Sequence, residues 1–367
     1  MRESFLRIMR GEPAEGAVWT ADITYWITGE KAAGRGDPAW DTEEGYLALH
    51  RDLGVMPYYF YEKFWVAAAD FGGGVTTHGE RVGDRITGRI HTPVGDLVQE
   101  SAYLPTSCST GTTKHFVETP ADLDVLLYVL EHRTLHPTHL EGYASRRARW
   151  AGYDGLPSLG LPRSPLPSFA HEWAGVMNAT YLMADCEDRV ARALALMEAQ
   201  ERPIVEAVCR AAPPVLHFPD NLSSANLTGW FDAWMAGPYR RRLEPLHEAG
   251  VKAAVHLDGT VRGLLPRLAA VGFDAVESIT PAPVGDVTVE ETRAVAGSAS
   301  LVLWGGVPGA MFAPPFTWEE MEAHVARVLE HWGRGPFVLG VADQVPPNGD
   351  MEFCRRIGEM VRAWRRG

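Results

Sequence analysis

The sequence predicts an α/β fold, a (β/α)8 TIM barrel formed by a single domain over residues 1–367. Short aliphatic runs alternate with helix-period segments at least five times in the C-terminal half, and polar residues stand where the aliphatic runs end. No G-x-G-x-x-G turn, the mark of an open dinucleotide-binding sheet, occurs in the chain. Right-handed strand–helix–strand units without that turn favour closure into a barrel.

The clearest strand–helix–strand unit covers residues 251–280. Residues 253–255 predict a strand buried on both faces, which ends at His256 and Asp258. A helix-period segment follows and stops at Gly272, and residues 273–276 predict the next strand, which ends at Glu277. Ionisable residues therefore follow two neighbouring strands, where parallel α/β folds collect their chemistry.

Three further predicted strands also end in polar or aromatic residues. They cover residues 214–218, 301–303 and 337–341. Because the carboxyl ends of parallel strands meet at one rim, the side chains that follow them should share one mouth with His256, Asp258 and Glu277. These further candidates are Asp220, Asn221, Trp304, Asp343 and Gln344.

Residues 1–30 predict an N-terminal extension that begins with a short amphipathic helix. It brings Asp22, Tyr25 and Trp26 together after a strand-like start. Two interpretations stay open: the three side chains face a ligand, or Asp22 is a hydrogen-bonded strand end among packed aromatic residues.

Residues 81–104 alternate polar and apolar residues between turn signals at Gly83, Pro93 and Gly95. This pattern predicts an antiparallel β-hairpin inserted into the barrel, as a flap or a contact between subunits of a homodimer. Residues 151–168 are rich in Gly, Pro and Ser and predict a long loop, a lid or a tether.

Composition excludes several classes of function. The formal net charge of −13 argues against nucleic-acid binding, which needs clustered Lys and Arg. No apolar run is long enough to cross a membrane. The four cysteines are scattered, without metal-knuckle spacing or disulfide density, and favour a reduced, cytoplasmic setting.

Several carboxylates around one histidine predict either a bound cation or strong hydrogen-bond donors, since like charges raise each other's pKa. His256 and Asp258, two residues apart, point to the same side of an extended segment, and Asp343 could approach from a neighbouring strand. One imidazole and two carboxylates could hold a divalent metal with open positions. Alternatively, His256 donates to a neighbouring acid and Asp258 caps the following turn.

Four segments of the C-terminal half carry a resemblance to a known family: PDNLSS (219–224), VHLDGTVRGLLPRLAAVGFDAVESITPAPVGDV (255–287), LWGGVPG (303–309) and FVLGVADQVPPNGDMEF (337–353). With them the chain resembles the uroporphyrinogen decarboxylase superfamily, most strongly in its last 150 residues or so. That superfamily includes the haem-pathway decarboxylase and zinc-dependent, cobalamin-linked methyltransferases, and the resemblance implies a (β/α)8 barrel with its site at the carboxyl ends of the strands.

Two departures from the superfamily pattern favour the methyltransferase branch. The decarboxylase carries Arg residues near its N-terminus to bind a polycarboxylate, whereas this chain has no Arg between Gly11 and Gly34. The methyltransferases bind zinc through His-x-Cys and a later Cys, and the matching positions here are His256, Asp258 and Asp343. The harder oxygen ligands would accept zinc or another divalent ion.

The leading hypothesis is a metal-dependent methyltransferase that acts on a small molecule and takes its methyl group from methylcobalamin on a partner corrinoid protein. On the resemblance, His256, Asp258 and Asp343 bind the metal, Asp220 and Asn221 orient the acceptor, and Glu277 accepts a proton. Asp22, Tyr25 and Trp26 close the pocket, with Trp304 and Gln344 at its rim. The alternatives are a metal-independent decarboxylase of a tetrapyrrole or of a small aromatic or pyrrolic acid, in which Asp220 or Asp343 stabilises a cation, and a non-catalytic corrinoid- or tetrapyrrole-binding protein.

Overall fold

The computed structural model describes residues 1–364. Its strands are β1 (Trp19–Thr20), β2 (Ala67–Phe71), β3 (Thr76–Val82), β4 (Arg85–Thr92), β5 (Gly95–Leu104), β6 (Ser109–Lys114), β7 (Arg133–Pro137), β8 (Val215–Leu222), β9 (Lys252–Leu257), β10 (Ala275–Ile279), β11 (Val302–Pro308) and β12 (Phe337–Ala342).

Its α-helices are α1 (Arg2–Met9), α2 (Thr24–Ala32), α3 (Glu43–Leu53), α4 (Pro120–Glu131), α5 (Tyr143–Ala151), α6 (Pro165–Ser168), α7 (Gly175–Asp185), α8 (Glu187–Ala211), α9 (Ser224–Trp230), α10 (Ala236–Glu248), α11 (Leu265–Val271), α12 (Thr292–Ala296), α13 (Trp318–Trp332) and α14 (Met351–Ala363). Phe169–Trp173 and Phe231–Met235 form π-helical turns.

The barrel wall is a six-stranded parallel sheet in the order β1-β12-β11-β10-β9-β8. Its strands are almost entirely buried, because helices cover the outer face and side chains fill the interior. Close approach between β10 and β11 depends on Gly305, whose φ is 132° and where a Cβ atom would lie 2.6 Å from the backbone N of Ile279.

Two irregular segments, 56–58 and 156–161, close the ring between β1 and β8. Gly160 makes isolated parallel bridges to Trp65 and His217. With these two segments the six strands complete an eight-membered ring, which confirms the predicted (β/α)8 barrel. The closing backbone hydrogen bonds are Met56 N to Trp19 O (2.9 Å), Leu156 N to Pro57 O (3.1 Å), Ser158 N to Tyr58 O (3.0 Å), His217 N to Leu159 O (2.8 Å) and Leu161 N to His217 O (3.0 Å).

Helix α1 covers the N-terminal end of the barrel. The Phe5 ring is fully buried and lies 5.4 Å from the Tyr58 ring and 5.1 Å from the Trp304 ring, centroid to centroid. The same apolar cluster includes residues from the first halves of β9 to β12. With this end closed, the carboxyl ends of the strands form the mouth of the barrel.

The predicted hairpin within residues 81–104 is present as β4 and β5, joined by a tight turn. The structure extends it to a four-stranded antiparallel sheet, β3-β4-β5-β6, and a separate pair, β2 with β7. The predicted extension, residues 1–30, also contains a barrel strand, because β1 pairs with β12. This strand is the strand-like start that the sequence indicates before Asp22.

Two other general properties concern cysteine and membrane insertion. Cys108, Cys186, Cys209 and Cys354 are all free thiols. Over residues 1–364, no helix combines the length and the hydrophobicity that crossing a membrane requires.

His50 in α3 gives a prediction about acid stability. Its side chain is fully buried, and its Nδ1 lies 2.9 Å from the Tyr46 carbonyl oxygen. Burial lowers the pKa of His50 from 6.5 to about 4. An unfolded chain therefore takes up this proton at a higher pH than the folded protein, so the stability contributed by the neutral imidazole is present above pH 6.5 and is lost as the pH falls through 4.

We expect the free energy of unfolding of the wild type to fall by roughly 3 kcal/mol more than that of His50→Gln between pH 7 and pH 4. Glutamine keeps a donor for the Tyr46 carbonyl but does not titrate. Urea unfolding at a series of pH values measures the difference, and parallel stability profiles for the two proteins would contradict it.

Candidate functional site

Most of the predicted ionisable side chains stand at the carboxyl-end rim of the barrel. Glu277 lies within β10 and is 2% exposed, whereas Asp258 and Asp343 directly follow β9 and β12 and are exposed. Asp22 follows β1 and is buried. The register of β9 and β10 pairs His256 with Glu277, which sets their side chains next to each other.

Glu277, His256 and Asp343 form a row across the mouth. His256 Nδ1 lies 2.5 Å from Glu277 Oε2, and His256 Nε2 lies 3.7 Å from Asp343 Oδ1. Tyr59 donates its hydroxyl hydrogen to the other oxygen of Glu277, Oε1, at 2.5 Å. Both Glu277 oxygens are therefore held, and Nε2 is the imidazole nitrogen that faces the mouth.

Burial and the surrounding charges shift the pKa values of the three residues in the row. Burial lowers the pKa of His256, but the adjacent Glu277, with Asp343 and Asp258, overrides burial and raises it to about 9. Burial acts to raise the pKa of Glu277, but the interaction with His256 outweighs burial, so the pKa of Glu277 is lowered. Partial burial raises the pKa of Asp343 to about 6, and the negative charge of Asp22 acts in the same direction. The charge of His256 acts to lower this pKa but does not outweigh them. The mouth thus has more negative charge than one imidazolium balances.

A second hydrogen-bonded group, around Asp22, lines one wall of the mouth. Asp22 Oδ2 accepts a hydrogen bond from the Tyr61 hydroxyl at 2.6 Å, and Oδ1 accepts one from the backbone N–H of Thr24 at 2.9 Å. Burial raises the pKa of Asp22. Burial and the charges of Asp343 and Asp22 raise the pKa of Tyr25, so its hydroxyl stays protonated beside the row.

Asn221 links the opposite wall to the loop that follows residues 156–161. Its Nδ2 donates to Asp258 Oδ2 at 3.4 Å, and its Oδ1 accepts from Arg163 Nη2 at 3.1 Å. Arg163 Nη1 donates to Glu172 Oε1 at 2.9 Å. Asn221 also has a left-handed φ of 51°, and Ser278, next to Glu277, has a φ of 67°. Such strained non-glycine residues occur often at functional sites.

Three predicted site residues lie apart from the row, and a fourth, Gln344, adjoins it. Asp220 has no exposed surface, and its two oxygens accept hydrogen bonds from Ser164 N (2.8 Å) and the Tyr239 hydroxyl (2.6 Å). Trp304 lies deep in the barrel, and its Nε1 donates to Thr20 Oγ1 at 2.8 Å. Trp26 packs on Trp40 with ring centroids 5.3 Å apart, and Gln344 is partly buried beside Asp343.

The sequence interpretation did not include three side chains that the structure places at the site. Tyr59 and Tyr61 belong to the aromatic stretch 55–64, and Arg163 belongs to the loop predicted over 151–168. The aromatic stretch was a usable signal, because tyrosines beside a barrel strand are hydrogen-bond donors for buried acids. Arg163 gave no such signal: a single arginine in a proline-rich loop has no periodicity.

The donor set suits a divalent cation in its chemistry. His256 Nε2 faces Asp343, and Glu277 on Nδ1 provides the outer carboxylate that often orients a metal-binding imidazole. Within residues 1–364, however, no group of three or more His, Cys, Asp or Glu side chains has a metal-binding arrangement. The pair His256 and Asp343 is assembled, and Asp258 does not complete a trio with it.

No protein-family model and no curated protein sequence matches this chain. Solved structures do match it. A methyltransferase from Methanosarcina mazei aligns with a TM-score of 0.60 and 15% identity, over 99% of this chain and 98% of that one. A B12-independent methionine synthase from Shewanella sp. W3-18-1, in complex with selenomethionine, aligns with a TM-score of 0.50 and 12% identity, over 95% of this chain and 98% of that one. At these identities the likeness extends to the fold of the chain over nearly its whole length.

Proposed function

We propose that this protein is an enzyme of the methyltransferase type that acts on a small molecule at the mouth of its barrel. The observation that carries the proposal is the row of Glu277, His256 and Asp343, in which Nε2 of His256 faces Asp343 at 3.7 Å. A barrel shared with a methyltransferase over nearly the full chain supports it.

In this proposal each member of the row has a separate task. Glu277 fixes the orientation of His256, since its Oε2 holds Nδ1 and Tyr59 holds its Oε1. Asp343 is the exposed member, and together with His256 Nε2 it faces the space where the acceptor substrate would bind. Tyr25 forms part of the wall that the acceptor contacts.

A divalent ion, zinc or a harder one, fits the proposal. His256, Asp343 and Asp258 would hold it, with Asp258 moving from its hydrogen bond with Asn221. When bound, such an ion lowers the pKa of a coordinated thiol, alcohol or water. The excess of carboxylates over cations in the mouth supports a cation there. Methylcobalamin on a corrinoid partner protein is the proposed methyl donor.

One observation favours a second candidate, a metal-independent decarboxylase. The pKa of His256, raised to about 9, keeps its imidazole charged at neutral pH. A charged imidazole at the mouth could bind the carboxylate of a small aromatic or pyrrolic acid. Asp343 could stabilise the cation that forms when the ring takes up a proton, and this cation is neutralised when the carbon–carboxylate bond breaks and carbon dioxide leaves. Asp220 is not available for that task, since both of its oxygens are bound inside the fold.

Metal analysis and methyl-transfer assays on the wild-type protein test the proposal. The protein is purified without chelator, its metal content is measured, and methylcobalamin is offered with a panel of small thiols and alcohols. We expect the cobalt–methyl absorbance to decrease with time. This decrease should stop when chelator is added and resume when zinc or manganese is added.

Two other results would contradict methyl transfer. Carbon dioxide release from a pyrrolic or aromatic acid, unchanged by chelator, would establish the decarboxylase. A corrinoid or tetrapyrrole that copurifies with the protein, without turnover of either kind, would establish a binding protein.

A further inference from the structure

The outer edge of β3 is an unpaired and fully exposed strand edge. All seven residues of β3, Thr76–Val82, are exposed. The strand pairs with β4 on one side, and within residues 1–364 no strand pairs with its other side. Such an edge offers a row of backbone donors and acceptors to another chain.

The hairpin turn determines which backbone groups point outward. Val82 and Arg85 close a two-residue turn, so they exchange ladder hydrogen bonds, and alternate residues of β3 back to Thr76 do the same with β4. The intervening residues, Thr77, Gly79 and Arg81, therefore direct their N–H and C=O groups away from β4. These three residues present three donors and three acceptors.

The β3 edge lacks two of the features that usually prevent edge pairing, a β-bulge and a proline. Its register with β4 is continuous over all seven residue pairs, and the strand contains no proline. The opposite edge of the same sheet differs, because the pairing of β5 with β6 is interrupted by a register shift between Glu100 and Ser101. A bulge of this kind twists an edge away from partners.

We propose that β3 pairs with β3 of a second copy of this chain, antiparallel and centred on Gly79. In this register Gly79 lies opposite Gly79, and Thr77 lies opposite Arg81, so that all the outward-pointing backbone groups meet partners. The two four-stranded sheets become one continuous sheet across the dimer.

The side chains of β3 favour this register. It sets His78 opposite Glu80 twice, once on each side of the two-fold axis, and an imidazole N–H that faces a carboxylate can donate a hydrogen bond to it, which stabilises strand pairing. Registers centred on Glu80 or Arg81 would instead place two like charges opposite each other. Gly79 leaves room at the axis, since no atom lies within 4 Å of the position of an added Cβ.

The test compares two substitutions at the axis, Gly79→Pro and Gly79→Ala. Proline removes the outward N–H, and an edge strand tolerates it at a position that does not donate to its neighbour. Alanine keeps that N–H. Sedimentation equilibrium over about 1–300 µM measures the mass in solution. We expect the wild type and Gly79→Ala to shift from the mass of one chain to that of two, and Gly79→Pro to keep the mass of one chain throughout. Thermal unfolding checks that all three proteins are folded.

A charge exchange keeps the test decisive if Gly79→Pro disturbs β3. His78→Glu places two carboxylates opposite each other, and we expect the dimer dissociation constant to rise by about tenfold. Adding Glu80→Lys makes the facing side chains at positions 78 and 80 opposite in charge, and it should restore dimerisation. A wild type that stays a single chain over the whole concentration range, or a double variant that dimerises no better than His78→Glu, would overturn the proposal.

Discussion

Replacement of His256 by alanine is expected to lower methyl transfer by about 10²-fold or more, because even loss of an outer partner of a metal site typically costs about 10- to 100-fold in activity. The substitution removes the nitrogen that faces Asp343 and leaves Glu277, 2% exposed, with Tyr59 as its remaining side-chain partner. It should also weaken zinc or manganese binding, which calorimetry measures independently of turnover.

The matched control for this substitution is His247→Ala. His247 Nε2 lies 2.8 Å from Asp274 Oδ2, in a His–carboxylate pair that stands before β10, at the opposite end of the barrel. We expect methyl transfer by this variant to stay within about twofold of wild type, as for a surface pair remote from the site. Equal losses in the two variants would mean that His256 acts through stability alone, and an active His256→Ala enzyme would remove the row from the mechanism.

The parts of the barrel that the sequence predicted well are those with continuous aliphatic runs. β9, β10 and β12 are largely buried on both faces, and each contains the apolar run that predicted it, although Glu277 and Ser278 lie within β10 and not after it. The two segments that close the ring contain Pro57 and Pro157 and make few ladder hydrogen bonds. Proline removes a ladder donor, so strand-like patterns are not expected at these segments.

The site could be predicted as far as strand order determines it. His256 and Asp343 approach each other because His256 lies near the carboxyl end of β9 and Asp343 directly follows β12, two strands of the same ring. Tyr59 reaches Glu277 across 218 residues of sequence, and a contact of that separation leaves no local pattern. Trp304 illustrates the reverse limitation: a predicted strand end at residue 303 became the middle of a longer strand, so its side chain lies inside the barrel.

The largest expected loss of stability comes from breaking the buried ion pair between α8 and α10. Arg242 Nη2 lies 2.6 Å from Glu201 Oε2, with the two side chains 5% and 4% exposed. Arg242→Met leaves a buried carboxylate without this partner, and we expect the free energy of unfolding at pH 7 to fall by about 3–5 kcal/mol. The double variant Glu201→Met with Arg242→Met should recover most of that loss, because two apolar side chains of similar volume need no counter-charge.

The neighbouring pair on the same two helices separates burial from charge. Arg241 Nε lies 2.6 Å from Glu198 Oε1, but Arg241 is 61% exposed, so Arg241→Met should cost at most about 1 kcal/mol.

Burial already raises the pKa of Glu201 to about 7 with Arg242 present, and removing Arg242 must raise it further. A group with a raised folded-state pKa is stabilising below its unfolded value of 4.5, and that stability is lost as the pH rises through the folded value. In urea unfolding, the free energy of unfolding of Arg242→Met should therefore fall further below the wild-type value at pH 8 than at pH 5. An equal difference from the wild type at both pH values would contradict a buried charge pair here, and so would equal losses for Arg241→Met and Arg242→Met.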